Sequence, residues 1–401
     1  MRFSNKLFHV GNKWKFTTYV LLLSILLAGA GYVYRYEPFR SGIEITDELG
    51  GNIFPVTILS TATTDANLIL PSESNYLGNS KSCISIRVKN TYANSKLRIE
   101  IAETPFFTHS VSEFILSESG KEYLVYPEII WKYDALRENI QAVPVTVSAT
   151  AYLNKRELGS DVHTFSMRSI NECLLGYIDG RMKFHDTGAF FAAYVNEDNP
   201  HIDKILREAL NARIVNRFWG YQGKSSDIVD KQVYALWYVL QKRGFKYSSI
   251  SNSSLSSNVV FSQRVRTFDD ALASAQINCV DGSVLFASLL KAININPILV
   301  RVPGHMFVGY YTDVSHTDIH FLETSMIGDV TLEDFFPEER LDSTVVGKSQ
   351  ESVSRLLFDK SKEYATRIYD QNKTLIHSGK VNYMFLEIDK VTRAHIQPIG
   401  K

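Results

Sequence analysis

Between residues 83 and 170 the hydrophobic and polar positions alternate with period two. Ile84, Ile86 and Val88 alternate with Ser85, Arg87 and Lys89, and Leu97, Ile99 and Ile101 with Arg98 and Glu100. Val145, Val147, Ala149 and Ala151 alternate with Thr146, Ser148 and Thr150, and His163, Phe165 and Met167 repeat the pattern. Short alternating runs divided by turn residues predict an antiparallel β-sandwich, assigned to residues 37–172. Ser72, Ser74, Asn75, Asn79, Ser80 and Ser82 ahead of it read as loop or linker. No catalytic cluster falls in this part, so its expected role is a spacer or adhesive module.

After residue 175 the period becomes helical. Asn199-Pro200 looks like a cap followed by proline at the first helical position, and Ile202, Ile205, Leu206 and Ala209 form a stripe. Ser226 opens a helix carrying Val229, Val233, Leu236 and Leu240, which Gly244 closes. Residues 248–258 are a serine-rich loop. Thr267-Phe268-Asp269-Asp270 resembles a capping box opening another helix. Val353, Leu356, Leu357, Tyr364 and Ile368 mark a late amphipathic helix, and Tyr383–Ile388 a closing strand. Residues 173–401 are therefore expected to form a second, α+β domain.

The run from Phe16 to Tyr34 carries no charge and centres on Leu21, Leu22, Leu23, Ile25, Leu26 and Leu27. At 1.5 Å per residue it reads as a transmembrane helix of roughly 30 Å, with residues 1–36 as tail and anchor. Ala28-Gly29-Ala30 leaves a cleaved signal peptide as the alternative. Arg2, Lys6, Lys13 and Lys15 precede the run, while Glu37, Glu44, Asp47 and Glu48 join Arg35 and Arg40 after it. This bias predicts a single-pass protein of the inner cell membrane with residues 35–401 extracytoplasmic.

Composition narrows the function. The chain has 401 residues, 45% of them hydrophobic and 21% charged, which is ordinary globular usage. Lys+Arg and Asp+Glu are each 43, so there is no basic footprint for nucleic acid. Three cysteines, at 83, 173 and 279, exclude a disulfide-dense scaffold and a four-cysteine zinc cage. In an oxidising compartment Cys83 and Cys173 are candidates for a bridge, with Cys279 left as the odd thiol.

The chemistry concentrates around Asn278-Cys279-Val280-Asp281-Gly282-Ser283. The following residues, Val284 to Leu290, are apolar or small on every side, so this helix belongs in the core. Cys279 stands at its entrance, where backbone N–H groups and the positive helix end favour the nucleophilic thiolate. Ile298, Val300 and Val302 form a strand broken by Pro303-Gly304. His305 starts a second strand, and Asp318 to Thr324, a third, contains Glu323. A hairpin centred on Val314 sets Tyr311 opposite Thr317 and His305 opposite Glu323, within reach of one another. Cysteine acyl transfer needs this set: a nucleophile, a base that returns its proton, and a carboxylate that orients the base.

The order and local context resemble the transglutaminase-like superfamily of cysteine enzymes. The resemblance rests on Asn278 to Asp281, Leu285 to Ala292, Pro303-Gly304-His305-Met306-Phe307-Val308, Phe321-Leu322-Glu323-Thr324, and Gly244-Phe245-Lys246-Tyr247-Ser248. It covers residues 229–331. It implies a papain-like α+β domain, a Cys279–His305–Glu323 triad, Tyr247 as oxyanion donor and no metal or other cofactor. It also implies a peptide or protein substrate, with the cell envelope as one possible source. Val280 stands where many members carry Trp beside the cysteine, which points away from the cross-linking enzymes. Two rival readings stay open. A catalytically silent binding or scaffolding protein would keep Cys279 as an ordinary thiol. A zinc site would use Cys279, His305 and Glu323, with His316 and His320 in part. His109, His185 and His201 read as surface or structural residues. Phe218-Trp219-Gly220-Tyr221 is either core packing or a subsite wall.

Overall fold

The computed structural model describes residues 7–36, 42–47, 49–64, 75–89, 92–248, 255–328, 331–339 and 346–400. Ser72 and Ser74 of the expected linker and positions 249–254 of the serine-rich loop lie outside these. So do Arg2, Lys6, Glu37, Arg40 and Glu48. The architecture is α+β with mixed sheets.

The alternating runs do become strands. A five-stranded sheet has the order Asn52–Ile53, Arg156–Met167, Val143–Leu153, Ser95–Ile101, Ser110–Leu116. A four-stranded sheet has the order Ile43–Thr46, Ser85–Lys89, Glu122–Tyr126, Tyr76–Gly78. In Ser95–Ile101 every second residue is buried, as period two requires. The expectation of a purely antiparallel sandwich needs correction. Tyr76–Gly78 runs parallel to Glu122–Tyr126, and Asn52–Ile53 parallel to Arg156–Met167. These short strands arrive from distant segments and carry no alternation to read.

The N-terminal anchor also needs correction. A helix spans Leu7–Tyr36, but among the described residues no helix is long and apolar enough to cross a membrane. Thr17, Thr18 and Ser24 interrupt its apolar stretch. The single-pass, inner-membrane and extracytoplasmic assignments fall with the anchor. The bridge fails as well: Cys83 and Cys173 are not joined. The Cys83 sulfur faces the Thr57 hydroxyl and the Lys81 carbonyl, while the buried Cys173 thiol donates to the Leu174 carbonyl.

One apolar core runs without a break from Ile43 to Ile399. The short helix Pro55–Thr61, buried at every position, belongs to it, with proline at its first turn as Pro's fixed φ allows. Beyond residue 172 lies a four-stranded antiparallel sheet in the order Ile319–Leu322, His305–Tyr311, Pro297–Val302, Met384–Glu387. The helix Cys279–Ala292 packs on one side of it, and the long helix Gln350–Ile376 brings Ala365, Tyr369 and Ile376 to the other. Helix Ser226–Gln241 supplies Trp237, fully buried, with its ring centroid 6.4 Å from Phe286 and 5.7 Å from Phe358. Trp237 therefore keys the cysteine helix to the long helix. We expect Trp237→Ala to lower the unfolding free energy by about 3–5 kcal/mol, read by chemical denaturation. A loss under 1 kcal/mol would show that the indole is not part of the packed core.

Candidate active site

The cysteine helix starts at Cys279 because its neighbours stop the chain there. The Asn278 side chain accepts the Asp281 N–H at 2.8 Å, and the Asp281 carboxylate accepts the Asn278 N–H at 3.1 Å, a reciprocal cap. Asp281 is buried, and Arg266 neutralises it: its N–H meets Oδ1 at 2.8 Å and its Nη1 meets Oδ2 at 2.5 Å. Buried charges persist when so paired. The first-turn amides of Cys279 and Val280 precede the intrahelical ladder and have no acceptor within the helix. Cys279 itself is 9% exposed, seated in the core but not sealed.

His305 is the first residue of its strand, and the left-handed Gly304 before it turns the chain in (φ +74°). The register differs from the expected one. Tyr311 pairs with Ile319 and Val308 with Leu322, so the hairpin centres on Ser315. Glu323 falls just past the strand and caps the turn Thr324–Ile327. A shift of two residues preserves the face of the sheet, so His305 and Glu323 still share one side and meet diagonally. The His305 Nε2 to Glu323 Oε2 distance is 2.5 Å. Cys279 is near enough to His305 for its thiol to bear on the protonation of the ring. The carboxylate thus orients an imidazole that neighbours the sulfur.

Glu323 has no solvent exposure, yet every part of it is satisfied. Oε1 accepts the Ser325 N–H at 3.0 Å and the Ser325 hydroxyl. Its backbone N–H donates to Ser361 Oγ at 2.9 Å, and Ser361 Oγ donates back to its carbonyl at 3.2 Å. Thr324 meets the cysteine helix, with Ser283 Oγ 3.2 Å from Thr324 Oγ1. Gly282 permits that approach, because a Cβ there would lie 2.8 Å from Thr324 Oγ1 and 3.1 Å from Thr324 Cβ.

Electrostatics follow from this packing. Burial works against the charged His305 ring. The negative charge of Glu323 outweighs it, and hydrogen bonds to Cys279 and Glu323 add to the effect, raising His305 from 6.5 to about 10. Tyr247, 40% exposed, belongs to the two-residue strand Lys246–Tyr247 beside Gln276–Ile277, which leads directly into Cys279. Partial burial, then the charges of Cys279, Glu323 and Asp281, push its phenol up to about 12. Tyr247 therefore stays a proton donor across the neutral range.

The remaining candidates lie elsewhere. His320 Nδ1 sits 2.8 Å from Asp230, which also takes Lys362 and Tyr310. His316 stacks on Tyr311 and contacts Asn296, His185 pairs with Asp179, and the exposed His201 lies near Asp269. Among the described residues no three His, Cys, Asp or Glu side chains gather around a metal-sized centre. The Phe218–Tyr221 segment docks on the far side, where Gln232 binds the Trp219 and Gly220 N–H groups and Tyr221 binds the Asn296 N–H. Sequence reasoning missed Arg266, Asp281, Ser325 and Ser361. Only the Asn278–Asp281 spacing signals one of them, as a cap. The chain matches no protein family model and no curated protein.

Two expectations follow. Gly282→Ala should push the Thr324 segment from the cysteine helix and slow Cys279 alkylation at least tenfold with little change in melting temperature; an unchanged rate would show that the close approach is dispensable. For His305, a folded-state value above that of the free ring means its contribution to stability is whole below about 6.5 and lost as pH rises through about 10. Histidine-selective nitrogen NMR should show the ring protonated at pH 8. In Glu323→Gln, burial is no longer outweighed by a carboxylate, and the titration should fall to lower pH. A wild-type ring neutral at pH 8 would contradict this.

Proposed function

We propose that the chain is a transglutaminase-like cysteine enzyme acting on peptide or side-chain amides through a thioester. The observation that carries this reading is the 2.5 Å pair of His305 with the buried Glu323, set beside Cys279 at the entrance of its helix. The absent tryptophan beside Cys279 favours a peptidase or amidase over a cross-linker.

In the resting pair His305 already carries the thiol proton, on the ring nitrogen not bound to Glu323, and the sulfur is the thiolate. The sulfur attacks the carbonyl carbon, and the carbonyl π electrons move onto oxygen. That oxyanion sits against the first-turn amides of the cysteine helix and the Tyr247 hydroxyl. As the carbonyl re-forms, the C–N bond breaks and the leaving nitrogen takes the proton from His305. Water then attacks the thioester with His305 as base, releasing the carboxylic acid and the thiol; an amine in its place would give a new amide. Glu323 holds the ring orientation and stabilises imidazolium in both halves.

The test is capture of the acyl-enzyme. Incubation with a mixed peptide library and acid quench should give a thioester mass on the peptide containing Cys279. It should be absent in Cys279→Ala and strongly reduced in His305→Ala. Tyr247→Phe should lower kcat by about 10²-fold, the cost of one oxyanion donor. With no thioester and no amide turnover in the intact protein, the domain is a silent binding module.

A further inference from the structure

Ser361, Tyr364 and Arg367 step along the long helix Gln350–Ile376 at intervals of three, so they form one spiral row on its surface. The row starts at the site, where Ser361 grips the backbone of Glu323. Tyr364 comes next. It lies within electrostatic reach of both Glu323 and Tyr247, the residue that flanks Cys279. Arg367 ends the row, exposed to solvent. Its guanidinium rests 5.0 Å from the Phe336 ring centre and 5.1 Å from that of Tyr364, and Nη2 donates to the Phe335 carbonyl at 3.1 Å. Phe335 and Phe336 clasp Tyr364 edge-on at 5.1 and 5.9 Å. The guanidinium is thus fixed in position by two rings and a carbonyl.

Three other cations of the same helix are paired. Arg355 faces Asp359 at 3.3 Å, Lys360 faces Glu339 at 2.6 Å, and Lys362 faces Asp230 at 2.5 Å. Arg367 faces no carboxylate among the described residues. A rigid guanidinium with donors to spare is matched to a planar carboxylate, which it binds through two parallel hydrogen bonds. From Ser361 to Arg367 the helix rises six residues, about 9 Å. An extended peptide covers that in two to three residues.

We propose that Arg367 anchors a carboxylate of the substrate two to three residues along from the His305–Glu323 end of the site, so that the enzyme takes acidic peptides. This rests on Cys279 being the nucleophile, and the experiment separates the two claims. Intact protein is labelled with bromoacetyl-Ala-Ala-Glu amide and with its Gln counterpart, which differ only in charge. Iodoacetamide reports the thiol itself. Wild type should label about tenfold faster with the Glu peptide than with the Gln peptide. Arg367→Gln should bring that ratio to about one and leave the iodoacetamide rate unchanged, which also shows that the site has kept its fold. Arg367→Lys, a point charge without the planar fork, should retain part of the preference. A wild-type ratio near one, or a ratio that survives in Arg367→Gln, overturns the anchor while leaving the nucleophile standing. If Cys279 reacts with iodoacetamide no faster than Cys83, the nucleophile and the anchor fall together.

Discussion

The site depends on a carboxylate that has no contact with water. Ionised Glu323 is tolerated in the interior only because each oxygen is paired: one with the Ser325 N–H and hydroxyl, the other with His305. Removing one partner from such a group typically costs about 3–5 kcal/mol, because the charge stays buried without compensation. The strand, the turn after it, the long helix and the histidine therefore have to meet at this point. Ser361 completes the arrangement by fastening the Glu323 backbone from the long helix.

That junction sets where the sulfur stands. Thr324, next to Glu323, rests against Gly282 and Ser283 one turn into the cysteine helix. The start of that helix is pinned separately by Asp281 and Arg266. Two independent ties thus position Cys279 against a ring already oriented by Glu323. If Cys279 is the nucleophile proposed, this shell sets its rate, since in enzymes a misplacement of about 1 Å can cost 10²-fold.

Much of this was readable from sequence, and the failures have physical causes. Cys279, His305 and Glu323 stood out because each lies at the boundary of a strongly patterned element. The hairpin register came out two residues away because the loop is longer than its composition suggests. Asp313 accepts the Thr317 and Asp318 N–H groups at 3.1 and 2.8 Å, and His316 takes a left-handed conformation (φ 57°), which carries the turn on to Asp318. The error did no harm to the pairing because a shift of two keeps the face. Ser361 lies 38 residues from Glu323, and no local pattern announces such a contact. The parallel edge strands failed for the same reason. The run from Phe16 to Tyr34 was read from its lack of charge, its leucine-rich centre and its length, yet among the described residues no helix is long and apolar enough to cross a membrane. The spacing of Cys83 and Cys173 was compatible with a bridge but could not fix the distance between them.

The central claim is that Glu323 and His305 make Cys279 a nucleophile. The most direct measurement is the rate of iodoacetamide alkylation at pH 7, mapped to each cysteine by mass spectrometry, in wild type and in His305→Ala. The account predicts that Cys279 outpaces the partly exposed Cys83 by at least tenfold and that His305→Ala abolishes the advantage. Equal rates at Cys279 and Cys83 in the wild type, or a Cys279 rate indifferent to His305, would contradict it.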